Sequence, residues 1–156
     1  MNEDILTPNE ENEENVSEST DEEKGSDSTD ESILNSIKKM LGYDSEGDTF
    51  NTDITIHINT VFGILNQLGV GPEKAFSISD ATSTWSDFFG KDTNFEMVKS
   101  YMYLKVKLVF DPPSTTSLMD AIKESIEELQ WRITTAAELK SRNVEEGEER
   151  IASDES

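Results

Sequence analysis

The chain contains no cysteine and only one histidine, His57. Without thiols there is no disulfide framework and no thiolate metal site. A lone imidazole lacks the partners of a zinc centre. No Ser/His/Asp or Cys/His constellation is visible for nucleophilic catalysis. An enzyme is therefore not expected, and neither a cofactor nor a metal is implied. Positive charge is scarce: 13 Lys and Arg stand against 34 Asp and Glu, a formal net charge of −21. That balance disfavours a nucleic-acid binder, whose affinity comes from neutralising phosphates. No apolar run approaches the ~18 residues of a membrane span, and the N-terminus is acidic, unlike a secretory signal.

The acid is concentrated at the ends. Residues 1–31 carry 13 Asp and Glu against one Lys, and residues 141–156 carry six against two Arg. The stretch 32–140 holds 15 acidic and 10 basic residues, net −5. The first 31 residues have almost no hydrophobes beyond Ile5, Leu6 and Val16. They bury too little to offset chain entropy and read as a disordered acidic arm. The last 16 read as a flexible tail in which only Val144 and Ile151 have anything to insert into a partner. Between them lies enough chain for one modest core.

Within 32–140 the apolar spacing is helical. Ile33, Leu34, Ile37, Met40 and Leu41 form a short amphipathic helix, capped by Asp30 or Ser32 and ended by Gly42. Tyr43–Asn51 is a loop. Its acids hint at calcium, but the glycine falls too early and no glutamate closes the site. Asp53 or Thr52 is expected to cap a second helix whose stripe is Ile54, Ile58, Val61, Leu65 and Leu68. His57 sits at the edge of that stripe and reads as a packed structural residue. Ile56 points to the polar side, where a neighbouring molecule can meet it. Gly69 to Asp80 is a Gly/Pro loop with a short extended piece. Thr84-W-S-Asp87 can cap a single turn whose Trp85, Phe88 and Phe89 plug either the core or an adjoining subunit.

The densest apolar run is Phe95 to Pro113. Leu104 to Phe110 alternates like a strand. The wider window overrules this, because Glu96, Ser100, Tyr103 and Lys107 fall in one polar stripe at helical period. A Thr93–Glu96 capping box starts the helix, and Pro112-Pro113 ends it. The double proline leaves room only for a tight antiparallel return. The next helix, from a Ser117–Asp120 box to about Lys140, carries the stripe Leu118, Ile122, Ile126, Leu129, Ile133 and Ala136. The fold class is therefore mainly α, a small helical domain built on an antiparallel helix hairpin. Opposite that last stripe stands Trp131, among Glu124, Glu127, Glu128 and Glu138. It is either an interface anchor or covered by a second element of the same chain. Arg132 beside it, and Arg142 in the tail, are further interface candidates. The four glutamates form a candidate face for repelling DNA.

Two segments, M-V-K-S-Y-M-Y-L-K-V-K-L-V-F-D-P-P at 97–113 and L-Q-W-R-I-T-T-A-A-E at 129–138, resemble the head-tail connector (neck adaptor) proteins of long-tailed bacteriophages. With an L-N-Q-L-G-V-G-P turn at 65–72, the likeness covers about 32–140 and excludes the acidic arm. The resemblance implies a homo-oligomeric, dodecameric ring beneath the portal protein at the head-tail junction of the virion, made in the bacterial host cytoplasm. Such a ring extends the DNA channel, lets DNA slide through without specific binding, and offers a platform to the next neck or tail-completion protein. It implies no enzymatic activity and no membrane. The competing readings are a non-viral acidic helical interaction module and a DNA-mimic inhibitor. Mimicry needs carboxylates arrayed on a folded surface, whereas most of the net charge here lies at the chain ends.

Overall fold

A computed structural model describes residues 31–45, 47–90 and 95–154, with the side chains of Phe95 and 147–154 outside the description. The expected arm 1–31, apart from Glu31, the alternative cap Asp30 and the Thr93 capping box all lie outside the described residues. Among the described residues five helices follow in order: α1 (Ile33–Leu41), α2 (Asn51–Gln67), α3 (Trp85–Phe89), α4 (Phe95–Phe110) and α5 (Thr116–Asp154).

The first helix starts where Ser32 accepts a hydrogen bond from the Asn35 N–H. It ends on Gly42, whose left-handed φ of 87° sends its N–H back to the carbonyls of Lys38 and Lys39. Ile33, Leu34, Ile37 and Leu41 are buried. So is Lys38, at 1% exposure. A buried ammonium is costly unless its hydrogens are used. Lys38 Nζ donates to the carbonyls of Ser45 and Gly47, so the acidic loop after α1 is tied down on a cation from α1.

Neither Thr52 nor Asp53 caps α2. The chain reverses one step earlier, at Phe50, which takes a left-handed φ of 64° and makes no side-chain cap. The Asn51 side-chain amide reaches Asp48 Oδ1 at 3.3 Å, and the Asn51 N–H reaches the Asp48 carbonyl at 3.2 Å. The far end of α2 is as expected: Gly69 turns left-handed and the Val70 N–H returns to the Leu65 carbonyl at 2.9 Å. The segment after it forms no strand. The Asn59 side-chain amide brackets the Ile78 backbone from both sides, at 2.8 and 2.9 Å, and draws Ile78 into the core.

Thr84 and Asp87 form the expected capping box. Bonds from the Thr84 N–H and hydroxyl hold the Asp87 carboxyl below its ordinary range. The five-residue helix so capped turns Trp85, Phe88 and Phe89 to one side, and all three are buried within this chain. Of the two fates open to these residues, the structure assigns them to the core; they are not exposed interface residues. Trp85 is 0% exposed, and its Nε1–H donates to Ser36 Oγ at 2.8 Å. Backbone bonds from Ile33 to Ser83 and from Trp85 to Glu31 join the starts of α1 and α3. Phe88 packs on Phe62, Phe76 and Phe89 with ring centroids 4.7–5.3 Å apart.

Phe88 also fixes one glycine. Gly71 has φ 97°, and a Cβ placed there would lie 2.4 Å from the Phe88 ring. Gly71→Ala therefore combines left-handed strain with an overpacked core, together worth about 2–4 kcal/mol. For a domain of this size the melting temperature should fall by about 10 °C or more, as read by thermal circular dichroism. A fall under a few degrees would show that the loop relaxes freely.

The segment 95–110 is a helix, and no strand occurs among the described residues. Helix α4 packs against α5, α2 and α1, which accounts for its nearly all-round apolarity. Val98, Tyr101, Met102 and Val106 are buried. The Tyr101 hydroxyl donates to Gln130 Oε1 across the hairpin at 3.1 Å, and burial raises its pKa. Lys107 pairs with Asp111 at 3.0 Å where the chain leaves α4 for the prolines.

Helix α5 buries Ile122, Ile126 and Ile133 against α4. It begins at Thr116, so Ser117 lies inside the first turn and does not cap it. The helix also runs past Lys140, where composition ended it, as far as Asp154. Its 39 residues span roughly 58 Å against roughly 24 Å for α4, so it overruns its partner.

Candidate functional site

The core of this chain is complete without Trp131. The tryptophan is 67% exposed on the face of α5 turned away from Ile122, Ile126 and Ile133. No second element of the described chain covers it. At about 100° per residue, Glu124, Glu127, Glu128 and Glu138 all fall within about 60° of it around the helix axis, and all four are exposed. Arg132 pairs with Glu128 one turn back, Nη2 to Oε1 at 2.7 Å. In water such a pair adds little stability, but it holds both side chains beside the indole. The Thr135 hydroxyl folds back onto the Trp131 carbonyl at 2.9 Å. The result is one large aromatic on a rigid rod, ringed by carboxylates and one guanidinium. It has the anatomy of an interface anchor with a polar rim.

Other candidate residues are dispersed. Ile56 is 57% exposed on the outer side of α2. Arg142 and Val144 are exposed on α5 about three turns beyond Trp131. Val144 lines a groove of about 540 Å³ with Val70, Phe89, Val98, Ile133 and Ala137. The Ile151 side chain lies outside the described residues.

Val109 and Phe50 are among the exposed hydrophobics that escaped notice in the sequence. Val109, at 64% exposure, reads as part of the central helix, but in its last turn Leu108 and Phe110 pack against the core and Val109 between them is left outside. Phe50 is half-exposed in what reads as a polar loop. The pairing of an aromatic with an acidic Gly-containing loop was its only sequence signal.

The described residues offer no group of three His, Cys, Asp or Glu side chains that could hold a metal. They include no helix long and apolar enough to cross a membrane. His57 packs its ring 6.2 Å from that of Phe110, as expected of a structural histidine.

A family model described as phage connector protein matches residues 33–140. Neither the curated proteins nor the solved structures contain a match.

Proposed function

The chain belongs to the phage connector protein family, and from that membership we propose that it assembles as a ring under the portal vertex and carries the DNA channel toward the tail. Its family makes it a structural connector of the bacteriophage virion; the ring, the channel and the portal contact are our reading. Trp131 supports that reading, because a finished core leaves it as a surplus aromatic on a rigid rod. A closed ring needs a heterologous joint, in which one patch of a subunit meets a different patch of the next. The Trp131 face supplies the anchor of such a joint. The glutamates on its rim, where they open onto the channel, repel phosphate and let DNA slide. In this reading the protein catalyses nothing and binds no cofactor.

The test is negative-stain microscopy and mass photometry of the full chain, alone and with its cognate portal. We expect rings, either free or seated on the portal. A monomer that never binds the portal overturns the proposal, whereas a monomer that closes into a ring only on the portal agrees with it.

A further inference from the structure

The groove of about 540 Å³ lies where α5 passes the start of α4, the end of α3 and the loop after α2. Its apolar wall is Val70, Phe89, Val98, Ile133, Ala137 and Val144. Val144 is 54% exposed at its open edge. Such a wall is favourable to cover, and a candidate to cover it is tethered beside it.

The described chain begins next to this groove. Ser32 bridges Thr84 in antiparallel sense, and the Trp85 N–H donates to the Glu31 carbonyl at 3.2 Å. The chain preceding Ser32 therefore runs in the direction of α3, whose last residue, Phe89, lines the groove. The Glu31 carboxylate is fixed to Lys99 Nζ at 2.6 Å, one residue from Val98 of the same wall. Backbone and side chain thus pin the exit of residues 1–30 between α3 and α4.

Those 30 residues contain one adjacent pair of aliphatic side chains, Ile5-Leu6. About 25 residues separate Leu6 from Glu31, and a coil of that length has an r.m.s. span of about 27 Å. The pair therefore reaches the whole groove from the pinned exit. Charge does not choose the occupant, since Glu73, Glu145 and Lys140 all line the rim. The tether does. A linker of this kind sets an effective concentration on the order of millimolar. A free chain at micromolar concentration competes at roughly a thousandfold disadvantage.

We propose that Ile5-Leu6 of the same chain occupies this groove, so that the acidic arm folds back on its own domain and a partner reaches the groove only by displacing it. The inference does not depend on ring assembly.

The chain has no cysteine, so Glu3→Cys gives a single site for a nitroxide on the full-length protein. Paramagnetic broadening of the methyl signals of Val70, Val98 and Val144, recorded by NMR, reads where the label goes. All three should broaden strongly. In the same labelled chain, Ile5→Ser/Leu6→Ser should restore them, which separates docking from the mere nearness of a tethered arm. Val144→Asp, an exposed substitution that leaves the core intact, should restore Val70 and Val98 from the groove side. No broadening of these methyls in the parent overturns the proposal, as does broadening that persists in either variant. Mixing isotope-labelled chains with separate nitroxide-labelled ones should leave the methyls sharp. Broadening in that mixture assigns the groove to a second copy, and the proposal fails.

Discussion

Replacing Trp131 by alanine should leave the monomer folded and disable assembly. The side chain is 67% exposed and lies opposite the buried stripe of α5, so its removal opens no cavity. Alanine is also the better helix former. Far-UV circular dichroism and the melting temperature should therefore change little, as for other surface substitutions. A tryptophan at the centre of an interface is another matter. Truncating such anchors costs about 2–4 kcal/mol of binding, or roughly 30- to 1,000-fold in affinity. Titrating Trp131→Ala against the portal, with ring counting by microscopy, measures that loss directly. Unchanged portal binding would remove this residue from the joint. A loss of helical signal would place the indole in a packing role that its exposure contradicts.

Much of this was legible in the chain itself. The register of Ile122, Ile126 and Ile133 fixes which side of α5 faces α4, and so sets Trp131 on the opposite side; that no second element covers it there comes from the structure. Pro112 and Pro113 set the hairpin, because neither can continue α4 and the few residues left allow only an antiparallel return. The Thr84–Asp87 pattern marks its capping box by side-chain chemistry alone.

What could not be read depends on long-range partners. The short α3 aligns Trp85, Phe88 and Phe89 on one side, but periodicity does not say whether that side meets this chain or another. The answer lies with Phe62, Phe76 and Ser36, distant in sequence. Lys38 falls on the wheel beside buried residues, and only the loop carbonyls folded over it explain its burial. Leu118 fits the stripe of α5 perfectly well and is still exposed. Stripe position gives direction, not whether a neighbour extends that far. Phe50 is the extreme case: its left-handed backbone contradicts its residue type.

The second large effect concerns the other tryptophan and separates the roles of the two. Trp85→Ala should destabilise the monomer severely. It empties the space of a fully buried indole, and comparable truncations cost about 3–5 kcal/mol. It also deprives Ser36 Oγ of its donor, while that hydroxyl goes on donating to the Ile33 carbonyl at 2.9 Å. Against a total stability of about 5–15 kcal/mol, the melting temperature should drop by about 15 °C or more. Trp85→Phe keeps most of the apolar volume and loses mainly the hydrogen bond, so its loss should be distinctly smaller. Fluorescence adds a check independent of stability, since the chain has only two tryptophans. Trp131→Ala, leaving Trp85 alone, should emit as a buried indole, to the blue of Trp85→Phe, which leaves only the exposed one. A Trp85→Ala chain that melts normally but no longer assembles would move this residue from the core to a subunit contact. The joint would then have to be sought on α3, away from α5.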